Sequence, residues 1–160
     1  MRKIILACLL FLIGMSGFSQ NEEANGTIYI KHPFIDIVNK SMKAYIDRDI
    51  PTNTALFADT ATVWFSGIEK PFPIKDALNE WATDHDYYDS INVAKVGYPD
   101  YLHYKDKDQK YVQSWWTWSG KSKKTGEVVK INFVQFDRFN NEGKIEAEML
   151  YGDFSKLVKK

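Results

Sequence analysis

Cysteine is almost absent: Cys8 is the only one in 160 residues, and neither sign of charge prevails, with 21 Lys plus Arg against 21 Asp plus Glu. One thiol cannot form an internal disulfide or a cysteine-rich metal site. A balanced charge offers no field for gathering nucleic acid or an anionic membrane surface. The longest apolar run, Ile4 to Ile13, falls well short of the roughly 20 residues that cross a bilayer, so no stable membrane insertion is expected. There is no glycine-rich phosphate loop, no serine elbow and no metalloprotease helix. Asp106-Lys107-Asp108-Gln109 lacks the glycine and closing glutamate of a calcium loop and reads as a solvated turn. The sequence therefore implies no metal and no cofactor.

What is present begins with a basic start (Arg2, Lys3), an apolar run and a small-residue stretch from Gly14 to Ser19. This is the pattern of a signal peptide over residues 1–19, cleaved near Ser19, and it implies export to the periplasm or medium. Cleavage there removes Cys8 and two of the 21 basic residues, leaving a net charge of −2 and no thiol. Residues 20–30 are mostly polar and read as a flexible leader, and residues 31–160 as a single domain.

Helical spacing comes first within that domain. Phe34, Ile37, Val38, Met42, Tyr45 and Ile46 recur at steps of three and four after Pro33, and Ile50-Pro51 ends the run. A short second helix is expected over 51–57, then a strand over 61–65. Ile74, Ala77, Leu78, Trp81 and Ala82 specify a third helix, whose stripe His85 extends. The period then changes to two. Strands are expected within 91–104, over 111–119, over 128–139 and over 144–151, joined by polar or glycine-containing turns. Helices followed by consecutive hairpins give an α+β fold in which helices cover one face of a curved antiparallel sheet.

A loop at 141–143 pairs Phe139 with Ile145, Asp137 with Ala147, Gln135 with Met149 and Phe133 with Tyr151, all on the covered face. Trp116 and Trp118 join them. The opposite face carries Val134, Phe136, Arg138, Glu146, Glu148 and Leu150, with Arg138 and Glu146 as a cross-strand ion pair. Gln135 and Asp137 are anomalous on a core-facing surface, where a carboxylate costs several kcal/mol unless it is paired, hydrated or beside a cavity.

Leu56-Phe57-Ala58-Asp59-Thr60-Ala61-Thr62-Val63-Trp64, Pro73-Ile74-Lys75-Asp76-Ala77-Leu78, Trp116-Thr117-Trp118-Ser119-Gly120, Asn141-Glu142-Gly143-Lys144-Ile145 and Tyr151-Gly152-Asp153 occur in that order. In this order and spacing, residues 33–158 resemble the NTF2-like superfamily and its SnoaL-like branch. Lys75 stands where the family often has glycine. The resemblance implies a sheet wrapped around N-terminal helices into a cone, a pocket at its wide end, and a homodimer formed through the sheet. It also implies a range of activities that includes isomerases, cyclases and dehydratases.

The candidate chemistry is acid/base. His85 could enter the cavity with a pKa near neutrality, or simply end its helix among aspartates. Asp137 could orient that base or act as one if desolvation raised its pKa, or it could face water beside a bulge. Trp64, Trp81, Tyr101, Trp116, Trp118 and Tyr151 could line an aromatic pocket, with Gln135 fixing a ligand's orientation, although some must simply fill the core. The first expectation is a domain binding a small, largely apolar molecule. The alternatives are a SnoaL-like enzyme using His85 or Asp137, and a dimeric interaction domain with a vestigial pocket.

Overall fold

A computed structural model describes residues 23–157; the expected signal segment lies outside the described residues. Among the described residues, three helices and a one-turn fourth pack against a curved, unclosed sheet of eight strands. The first helix, α1 (Pro33–Ile46), starts where Pro33 fixes the first turn and the His32 ring accepts a hydrogen bond from the Phe34 N–H at 3.2 Å. It buries Ile35, Val38, Ser41 and Ala44, and it ends before Arg48 takes a left-handed φ of 56°. Asp49 then caps α2 (Ile50–Leu56) by accepting from the Thr52 N–H at 3.0 Å. Later come α3 (Ile74–Ala82), which buries Ile74, Ala77, Leu78 and Ala82, and the single turn α4 (Asp84–Tyr87).

The strands are β1 (Gly26–Tyr29), β2 (Phe57–Phe65), β3 (Phe72–Pro73), β4 (Tyr88–Lys95), β5 (Asp100–Tyr104), β6 (Gln109–Ser122), β7 (Val128–Phe139) and β8 (Ile145–Gly152). They lie in the order β1-β5-β6-β7-β8-β2-β3. The long β6 carries two partners in tandem along one edge, β5 against Gln109–Gln113 and β4 against Trp116–Ser122. The later part of the expected leader thus belongs to the sheet: Gly26–Tyr29 pair with Tyr101–Tyr104, helped by the strand-forming Thr27, Ile28 and Tyr29.

Two features depart from the expected sheet. It is mixed rather than wholly antiparallel, because β2 runs parallel to β8. No hairpin joins β2 to β8, so nothing forces them into opposite directions. The second departure is a bulge. Phe139 pairs with Ile145 as expected, but Arg138 pairs with Ala147, leaving Glu146 as the extra residue. Beyond it Asp137 faces Glu148, Phe136 faces Met149, Gln135 faces Leu150 and Val134 faces Tyr151. One inserted residue reverses every later side chain, so Glu148 and Leu150 turn inward while Ala147, Met149 and Tyr151 turn away. The Arg138–Glu146 ion pair forms, at 2.7 Å on the outer face.

On β6 and β7 the expected faces hold. Val112, Ser114, Trp116 and Trp118 alternate inward along β6, as do Ile131, Phe133, Gln135, Asp137 and Phe139 along β7. Together with α1, α3 and the inward side chains of β2 and β8, they enclose one continuous core.

Candidate functional site

Between the helices and the inner face of the sheet lies a cavity of about 300 Å³. Much of its wall is aromatic or aliphatic, including Phe65, Trp81, Trp118, Phe133, Leu150 and Phe154. Its polar part has two distinct sectors. On the helix side, Ser41 donates to the Asn53 side-chain oxygen at 2.7 Å, joining α1 to α2. Nearby, the Trp118 indole N–H donates to the Tyr45 hydroxyl at 2.7 Å, and that hydroxyl donates to Asp84 at 2.8 Å. This relay links β6, α1 and α4. Burial first, then the neighbouring Asp84 charge, hold the Tyr45 phenol far above its ordinary range, so it stays a donor.

The sheet side contributes a carboxyl pair. Asp137 and Glu148 are direct cross-strand partners on the inner face, 0% and 2% exposed. Glu148 reaches the cavity wall, whereas Asp137 is held by the Gln135 amide N–H groups, which donate to its two oxygens at 3.1 and 2.8 Å. Burial pushes Asp137 up from 3.8 to about 8, although Gln135 pulls the other way. Burial, and then the charge of Asp137, push Glu148 well above the usual carboxylate range. Near neutrality Asp137 therefore keeps its proton, and Glu148, shifted in the same direction, presents an acid of raised pKa at the cavity edge.

The residues singled out from sequence divide into three groups. Trp81 and Trp118 line the cavity. Trp116, Gln135 and Asp137 point inward and are fully buried, but they are not part of the cavity wall; the Trp116 indole donates to the Ser114 hydroxyl at 2.8 Å. Tyr101, Trp64 and Tyr151 lie elsewhere. Tyr101 stacks on His32 at 3.6 Å beside the start of α1. Trp64 and Tyr151 pack together at 5.1 Å on the outer face, and Tyr151 is 46% exposed.

His85 does not join Asp137. The stripe of α3 stops at Ala82, Thr83 separates it from α4, and the restarted turn buries Asp84 instead. The His85 ring sits 3.0 Å from the Tyr45 carbonyl oxygen, away from the cavity wall. The sequence reading missed Glu148, Tyr45 and Asp84 as site residues. Tyr45 carried a signal on the stripe of α1, and Asp84 carried one as a carboxylate next to a helix end. Glu148 carried none, because two glutamates two residues apart share a face in a straight strand and only the bulge separates Glu146 from Glu148.

Among the described residues no three His, Cys, Asp or Glu side chains gather to hold a metal ion. No described helix is long and apolar enough to cross a membrane.

Comparison with known proteins places the fold. No family model and no curated protein sequence matches the chain. Solved structures do. A hypothetical protein with a ketosteroid isomerase-like fold from Catenulispora acidiphila, in complex with trimethylamine, aligns with a TM-score of 0.60 at 16% identity, over 77% of this chain and 89% of that one. An NTF2-like protein of unknown function from Exiguobacterium aligns at 0.57 and 18% identity, over 74% and 98%. IdmH, a putative polyketide cyclase from Streptomyces antibioticus, aligns at 0.61 and 15% identity, over 76% and 93%.

Proposed function

We propose that this chain, whose fold is NTF2-like, is an exported domain that holds a small, largely apolar molecule in the cavity beneath α1 and α3. The observation that carries the reading is the cavity itself, about 300 Å³ of space with an aromatic wall and a few convergent polar groups. An interaction domain with a vestigial pocket would have filled that space with its own side chains, since protein interiors otherwise pack to crystal density. The trimethylamine complex of a structural neighbour accords with a ligand-holding use of this fold. Mass spectrometry of the purified protein under native conditions tests the proposal. A retained small molecule that disappears in Val93→Trp, which fills the cavity, supports it. A protein that carries none and takes up none from a mixture of apolar compounds removes it.

The buried carboxyl pair favours a second reading, acid/base turnover of the bound molecule. Glu148 would exchange the proton with the ligand, while Asp137, its cross-strand partner, raises the proton affinity of Glu148 as a neighbouring acid. This replaces the expected pairing of His85 with Asp137. Loss of turnover in Glu148→Gln with binding retained supports catalysis; unchanged turnover discards it. Export is tested by sequencing the N-terminus of secreted protein for cleavage after Ser19. The outer face, with the half-buried Val134, Phe136 and Met149 beside exposed Tyr151, is the surface proposed for dimerisation. Sedimentation of Phe136→Glu against the parent chain tests it.

A further inference from the structure

Taking the small-molecule reading as its basis, we infer that the occupant is a hydrophobic amine: a positively charged nitrogen carried on an apolar body. Three acidic side chains, Glu80, Asp84 and Glu148, border the cavity, and no Lys, Arg or His is among the described residues that line it. A wall of one sign disfavours an anion. Glu148 decides between the remaining classes. It is 2% exposed, borders the space, and among the described residues its carboxyl has no hydrogen bond or ion pair. A carboxyl so placed is costly as an anion until a positive group arrives beside it. Its near neighbour on the same face is another acid, Asp137, which supplies no positive charge to Glu148.

An ammonium group answers that demand. The rings of Tyr45, Trp81, Trp118, Phe65, Phe133 and Phe154 supply the rest, because aromatic faces attract cations as well as apolar bodies. A neutral guest would satisfy the rings but make no use of the acid at Glu148. A metal ion does not suit the site, since among the described residues no three such ligands converge.

The test uses three probes on one phenethyl body: phenethyltrimethylammonium, its neutral carbon isostere (3,3-dimethylbutyl)benzene, and the anion 3-phenylpropionate. Each is titrated into the protein while the indole N–H signals of Trp81 and Trp118 are followed by NMR. The cation is expected to bind roughly ten-fold or more tightly than the isostere, and the anion more weakly than either. Glu148→Gln should weaken the cation by roughly the same factor and leave the isostere unchanged. An isostere that equals the cation in the parent protein, or a cation indifferent to Glu148→Gln, overturns the amine assignment while leaving an apolar pocket in place. If no probe moves either indole signal, the small-molecule reading fails and the amine assignment fails with it.

Discussion

Replacing Asp137 by Asn removes one member of the buried acid pair while keeping its shape, and the consequence is a change in how stability depends on pH. Asp137 titrates near 8 in the fold and near 3.8 when exposed. Between those values the folded chain holds a proton that the unfolded chain has released, so stability falls as pH rises. The stability is fully present below about pH 3.8 and stops declining above about 8. Each unit costs about 1.4 kcal/mol, so from pH 4 to 7 the loss is on the order of 4 kcal/mol from this group. Glu148 is shifted in the same direction and adds to the slope.

Other groups do not obscure the effect. Asp49, Asp108 and Asp153 have lowered pKa values, so what they contribute is lost only as pH falls below the ordinary aspartate range. His32 is lowered by burial and then by His103, which raises stability as pH climbs towards 6.5, but it is common to both proteins and cancels in their difference. Urea denaturation followed by tryptophan fluorescence at pH 5, 6 and 7 is the assay. The variant is expected to gain on the parent by about 1.4 kcal/mol per pH unit. A difference that stays constant across the three values, or a parent that gains on the variant as pH rises, refutes the claim that Asp137 is buried in its neutral form.

Three further outcomes follow from the same geometry. Tyr45→Phe removes the hydroxyl that accepts from Trp118 and donates to Asp84, and should cost about 1–3 kcal/mol by urea denaturation, with the Trp118 indole signal displaced. Gly120→Ala places a methyl group 2.7 Å from the Trp118 ring and 3.1 Å from the Tyr88 Cβ. Pushing that ring towards the cavity should cost about 1–3 kcal/mol and weaken probe binding together with stability, measured by denaturation and titration. His85→Ala should leave probe affinity within about two-fold in the same titration, because its ring meets the Tyr45 carbonyl rather than the cavity.

Local pattern carried much of this fold. The spacing of Ile74, Ala77, Leu78 and Ala82 is a property of one helix, and all four are buried in α3 as that spacing requires. The parity of β7 was equally readable, because twelve alternating residues leave little freedom for Gln135 and Asp137. What escaped depends on relations between segments. A bulge is a mismatch in length between two strands, and nothing within Ile145-Glu146-Ala147-Glu148 announces which residue is unpaired. The same holds for the tryptophans. Trp116 and Trp118 point the same way from β6, but only the placement of the helices above them decides that Trp118 meets empty space and Trp116 meets packing. His85 was misplaced because the stripe was carried through Thr83, where the helical run is interrupted and restarts one residue later.

The single surplus residue in β8 decides which side chains of that strand look into the cavity. Were β8 paired with β7 in unbroken register from Phe139 and Ile145 onward, Ala147 would stand opposite Asp137 and Tyr151 opposite Phe133, and the acid now at the cavity would face outward. Which residues tint this chamber is thus decided by where one strand slips past its neighbour as much as by what that strand carries.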